Sequence, residues 1–84
     1  MSEQTQTNET FTAILSRYLA LERQKEHIVT VEQCQASKAR FEALLAQYLE
    51  LMGGDARDNM TCALRTSISE HRLELEAGKY TRVA

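Results

Sequence analysis

Phe11-Thr-Ala-Ile-Leu-Ser-Arg-Tyr-Leu-Ala-Leu21 aligns without a gap to Phe41-Glu-Ala-Leu-Leu-Ala-Gln-Tyr-Leu-Glu-Leu51. Six of the eleven positions are identical, among them the aromatic pair Phe/Tyr. Leucines alone coincide between any two amphipathic helices; matched aromatics point to one structural unit used twice, each copy burying its apolar face on the other. Within the first copy, Phe11, Ile14, Leu15, Tyr18 and Leu21 recur at helical spacing, with no strand alternation.

The offset between the copies decides how they meet. Phe41 follows Phe11 by 41 − 11 = 30 residues, and at about 100° per residue this turns the second apolar stripe by about 120° from the first. One unbroken helix would therefore divide its apolar surface in two, whereas a break lets both stripes face one seam. The predicted break is Ile28-Val-Thr-Val31, a β-branched cluster with reduced helix propensity. Thr30 with Gln33 fits a capping box there, and Val29 with Cys34 fits a hydrophobic staple. The absence of Gly or Pro at that point is the chief objection to a hairpin.

Working outward, the second apolar set (Val31, Cys34, Phe41, Leu44, Leu45, Tyr48, Leu51, Met52) stops at Gly53-Gly54, which suits a left-handed C-cap. A third set, Met60, Leu64, Ile68, His71 and Leu75, opens at Asp55 or Asp58 and closes at Gly78. The reading is an all-α, three-helix protein built on an antiparallel helical hairpin, with helices near 9–29, 31–52 and 57–77. Residues 1–7 are expected to be a disordered leader with Asn8 as N-cap, 8–78 a single helical domain, and 79–84 a flexible tail. The repeat pairs Phe11/Phe41 and Tyr18/Tyr48 should share one core about a rough two-fold axis.

Composition limits the function. An 84-residue chain with no proline folds as one thin-cored domain and needs regular packing, a staple or a partner. Its net charge of −2 marks neither a nucleic-acid magnet nor an acidic DNA mimic. Two cysteines form no secretory disulfide framework. The polar N-terminus lacks the basic-then-apolar pattern of a signal peptide, and no apolar run approaches the roughly 20 residues of a membrane span. The expected location is the cytoplasm, or that of a host cell.

Candidate chemistry is sparse. His27, Cys34, Cys62 and His71 are singletons, without the paired spacing of zinc ligands. Cys34 and His71 fall on apolar stripes, where packed roles are expected, so no metal or cofactor is assigned. No base, orienting partner and pocket can be assembled from the sequence, so no enzyme is expected. Glu22 and Lys25 interrupt the first stripe, either snorkelling out or setting register. The candidate partner-binding residues are Arg57, Arg65, Arg72 and Lys79, spaced by eight, seven and seven along the third helix; they form a basic flank for an acidic surface or phosphates, or a solvated edge.

The expected function is a small non-enzymatic helical module that binds and regulates or inhibits a larger protein, as an adaptor or an accessory inhibitor of phage or mobile-element type. A homodimer is expected from Leu19, Leu49 and Leu73, which lie off the main stripes. The alternatives are a nucleic-acid-binding regulator of helix-turn-helix type and a structural coiled-coil assembly factor. The first is not favoured, because Asp55 and Asp58 would open its recognition helix and repel phosphate.

Overall fold

The chain turns where the β-branched cluster lies. The computed structural model describes residues 2–53 and 57–82, with side chains from Phe11 onward. Helix α1 (Ser2–Gln24) tightens into a 3-10 turn at Lys25–His27, and α2 runs Val31–Met52. Between them Ile28 and Thr30 are extended, with φ of −80° and −115°. The capping box forms as expected: the Gln33 amide donates to Thr30 Oγ1 at 3.1 Å, and the Thr30 amide donates back to Gln33 Oε1 at 3.1 Å. The Val29 amide shares the same acceptor at 2.8 Å. The staple does not accompany it, for Val29 is exposed while Cys34 is fully buried.

Helix α3 (Asn59–Glu76) returns along α2. Asp58 is its N-cap, accepting from the Thr61 amide at 3.0 Å through Oδ1. Its other carboxylate oxygen accepts the Tyr48 phenol proton, so the end of α2 is tied to the start of α3. That bond, with burial and the carboxylate's charge behind it, pushes the Tyr48 pKa up to about 12. Gly53 has φ +94° at the end of α2, as the left-handed cap requires. Asp55 and Gly54 lie outside the described residues. The three α-helices make an all-α fold, with no strand among the described residues.

Helix α1 runs from Ser2, ahead of Asn8, through a stretch that holds no Gly or Pro. The tail is not free over Lys79–Thr81. At the end of α3 the Gly78 amide donates to Leu75 O at 3.2 Å and the Lys79 amide to Glu74 O at 3.1 Å, a Schellman arrangement in which Gly78 has φ +69°. The reversed chain then pairs with the interhelical turn: Thr81 N donates to Val29 O at 3.2 Å, and Val31 N to Thr81 O at 2.9 Å. The second bond satisfies a first-turn amide of α2 that the helix itself cannot. The pairing lies against the extended residues between α1 and α2.

The duplicated helices meet reciprocally. Phe11 packs on Tyr48 with ring centroids 6.1 Å apart, and Tyr18 on Phe41 at 6.2 Å. The rough two-fold axis therefore relates the aromatic pairs crosswise. Ile14 and Leu44, at matching repeat positions, are both buried with Leu21, Phe41, Tyr48 and Leu64 in one core. Symmetry stops at the third helix, which packs chiefly on α2. Phe41 is consequently 0% exposed and its counterpart Phe11 40%.

Candidate functional site

Four groups of residues stand out beyond the core. The first is a ridge on α1. Phe11, Leu15 and Leu19 follow one another at i, i+4, i+8, a continuous row on a helix surface, and they are 40%, 36% and 45% exposed. Their repeat counterparts are Phe41, Leu45 and Leu49. Phe41 lies against the His71 ring of α3 at 5.7 Å, and Leu45 and Leu49 border the α2–α3 groove beside Ile68. The ridge is thus buried or half-buried beside α3 in the second copy and more exposed in the first, where Phe11 touches Tyr48 and Leu15 and Leu19 face outward. Leu49 is half-buried, whereas Leu19 and Leu73 are exposed.

The second group is the basic flank, which the structure takes apart. Arg57 precedes α3 and is not on its helical face. Arg65 and Arg72 remain aligned on α3, both exposed, with Arg65 at the rim of the α2–α3 groove opposite Glu42. Lys79 has been carried past the C-cap and folded back, its ammonium 3.3 Å from Glu74 Oε2 and 5.4 Å from the centre of the Tyr80 ring. Equal sequence spacing placed four cations in line only for a helix that continued through both ends.

The third group was not assembled from the sequence. His71 is buried between α2 and α3, its Nδ1 3.0 Å from Glu74 Oε1 and its Nε2 2.9 Å from Ser37 Oγ. A carboxylate can only accept, so Nδ1 carries the hydrogen, while Nε2 and the Ser37 hydroxyl form the second hydrogen bond of the ring. Cys34 lies alongside, its Sγ 3.8 Å from His71 O and 4.0 Å from Glu74 Oε1. Tyr80, brought in by the folded tail, donates to Glu74 Oε1 at 3.0 Å. Burial pushes the Glu74 carboxyl up, but hydrogen bonds from His71, Tyr80 and Lys79 outweigh it and leave its pKa below the ordinary value. Burial, then the nearby Glu74 charge, pushes the Cys34 thiol up. The i, i+3 spacing of His71 and Glu74 was visible in the sequence; the register of α2 on α3 that adds Cys34 and Ser37 was not.

Ser37, His71 and Glu74 share the connectivity of a nucleophilic relay. They lack its other half. Ser37 is buried within α2, where backbone N–H groups are spent on the helix ladder and cannot converge on an oxyanion. Cys34, His71 and Glu74 do offer ligand atoms within 4.8 Å of one another.

Glu22 and Lys25 form a further polar node and do more than snorkel. They pair at 3.0 Å, the Ser67 hydroxyl donates to Glu22 Oε2 at 2.8 Å, and Lys25 Nζ donates to Ser67 Oγ at 2.9 Å. Lys25 also lies 5.3 Å from the centre of the Phe41 ring. The node ties the end of α1 to α3.

Comparison of the chain with protein-family models, with curated proteins and with solved structures finds no match in any of the three.

Proposed function

We propose that this protein is a small non-enzymatic helical binding module that regulates or inhibits a larger protein, and that it docks through the Phe11–Leu15–Leu19 ridge of α1. The observation carrying this reading is the unequal treatment of the repeat: the counterpart ridge on α2 is partly covered by α3, fully so at Phe41, whereas Phe11, Leu15 and Leu19 of α1 are all exposed. Because α3 shows what such a ridge accepts, the occupant is an amphipathic helix contributed by the partner. Without a partner, α1 of a second copy is the available cover, which gives an isologous homodimer. The location of Ser37 inside a helix supports a binding role over a catalytic one. Asp58 at the start of α3, followed by Glu70, Glu74 and Glu76, counts against insertion of that helix beside DNA phosphates.

The experiment is affinity purification from the native cells with three forms of the full chain. Wild type should retain a specific protein, Leu15→Ser/Leu19→Ser should lose it while keeping its helical circular-dichroism spectrum, and Arg65→Glu/Arg72→Glu should keep it. Capture that survives the leucine changes and disappears with the arginine changes would transfer the interface to α3.

A further inference from the structure

Cys34, His71 and Glu74 present a sulfur, a nitrogen and an oxygen to one point between two helices. In a tetrahedral zinc site, with metal–sulfur bonds of about 2.3 Å and metal–nitrogen or metal–oxygen bonds of about 2.0–2.2 Å, neighbouring ligand atoms lie about 3.4–3.6 Å apart. Here Nδ1 and Oε1 are 3.0 Å apart, Sγ and Oε1 are 4.0 Å apart, and all three atoms lie within 4.8 Å. Two of the three separations differ from that geometry by about half an ångström, and the third by at most about 1.3 Å, a gap that rotamer adjustment of Cys34 and Glu74 can close. The two α3 ligands stand at i, i+3, a spacing by which helices in bundles aim a histidine and a carboxylate at one interior metal.

The surroundings fit as well. Ser37 Oγ lies 2.9 Å from Nε2, the ring nitrogen left over once Nδ1 ligates. A ligating histidine ordinarily has its second nitrogen fixed by such a hydrogen-bond partner. Glu74 Oε2 is held separately by Lys79, so Oε1 can bind while the carboxylate keeps its orientation. Cys34 and His71 are buried, and Glu74 is partly open beside Tyr80, which provides an entry path.

We propose that Cys34, His71 and Glu74 form a binding site for a borderline-soft divalent cation of the zinc class, with water or the Tyr80 phenol oxygen as fourth ligand. Thiolate, imidazole nitrogen and carboxylate together favour Zn2+ or Co2+ over Mg2+ or Ca2+, which take oxygen ligands. Binding releases the thiol proton of Cys34, and the hydrogen on Nδ1 is replaced by one on Nε2 that is donated to Ser37 Oγ. Thiolate and carboxylate then balance the two positive charges of the ion. The cation clamps α2 to α3 in a chain with no disulfide, one of the staples that small domains use.

The test is titration of chelator-treated, reduced full-length protein with Co2+. The expected result is one equivalent bound, with thiolate-to-cobalt charge-transfer absorption in the near ultraviolet and tetrahedral ligand-field bands in the visible. Both should vanish in Cys34→Ser and persist in Cys62→Ser, whose thiol is exposed and remote from the cluster. Zn2+ at roughly a hundredfold over its Kd should raise the Tm of wild type by about 10 °C or more and leave Cys34→Ser unmoved. Glu74→Gln, which retains the shape of the side chain, should weaken Co2+ binding if His71 variants fail to fold. Absence of the thiolate band in folded wild type, or the same band in Cys34→Ser, overturns the site and leaves the cluster as a hydrogen-bonded core histidine.

Discussion

Replacing Phe11 and Phe41 separately by alanine removes the same side chain from the same repeat position in two environments. Phe41 is 0% exposed, wedged between Tyr18 and His71. Its truncation loses the transfer free energy and leaves a cavity that two helices and a histidine ring cannot collapse, a cost of about 3–5 kcal/mol. Phe11 is 40% exposed. About six-tenths of a phenylalanine's burial of roughly 1.5–3 kcal/mol is then at stake, with little cavity term on an open surface, giving about 1–2 kcal/mol. A chain of 84 residues has about 4–13 kcal/mol of total stability at typical values per residue. Phe11→Ala should therefore fold, and Phe41→Ala should be near its limit, with Phe41→Leu as the milder substitute. Urea unfolding followed by far-ultraviolet circular dichroism gives the difference from the midpoints at a common slope. At about 1 µM protein Phe41→Ala should cost at least twice what Phe11→Ala does, and at about 100 µM the cost at Phe11 should rise as a second copy covers the ridge. Equal costs at the lower concentration would refute the claim that α3 alone separates the two copies, and a concentration-independent cost at Phe11 would refute the dimer.

Glu74 has a folded-state pKa below its ordinary value of 4.5, so it contributes stability above that pH, which is lost as pH falls through the lower folded value. Glu74→Gln should flatten the acid limb of a Tm-against-pH profile below pH 4.5, incompletely because Glu22 is shifted the same way; an unchanged limb would contradict the assignment. Thr61 Oγ1 is buried and makes no hydrogen bond of full geometry among the described residues, although the hydroxyl helps hold the neighbouring Asp58 carboxyl below its ordinary pKa, so Thr61→Val should change stability by no more than about 1 kcal/mol and leave Tm unchanged or slightly raised. A lower Tm would mean that the hydroxyl is bonded. Thr30→Ala removes the acceptor of the Gln33 amide and should cost about 1 kcal/mol in urea unfolding, against no loss if the turn is held by Thr81 alone.

The parts of the fold that were legible are those written in side-chain period. The offset between Phe11 and Phe41 required a break, and the Thr30/Gln33 box marked where, because a cap depends on residues three apart. What escaped was written in the backbone or in long-range register. The pairing of Thr81 with Val29 and Val31 uses amides and carbonyls that every residue carries, so nothing in Lys79-Tyr80-Thr81 announced it. The four cations do not stand in one helical row because equal spacing describes a continuous helix, whereas Arg57 lies before α3 and Lys79 beyond the Gly78 reversal. His71 was legible as a buried stripe residue; that its two nitrogens meet Ser37 and Glu74 depended on how α3 sits on α2.

The bridge between Thr30 and Thr81 also orders events in time. The two residues are 81 − 30 = 51 positions apart, and closing a chain of that length from the unfolded state costs about 3.5 kcal/mol in loop entropy. Two hydrogen bonds, worth about 1 kcal/mol each net, cannot meet that cost on their own. Once α2 and α3 have docked side by side, the ends are already neighbours and the closure is nearly free. The bridge is then among the last contacts made and the first released, a latch that opens while the helices stay packed. Under native conditions the Val31 and Thr81 amides should exchange with deuterium through this small opening, while the amides of Leu44 and Leu64 wait for global unfolding.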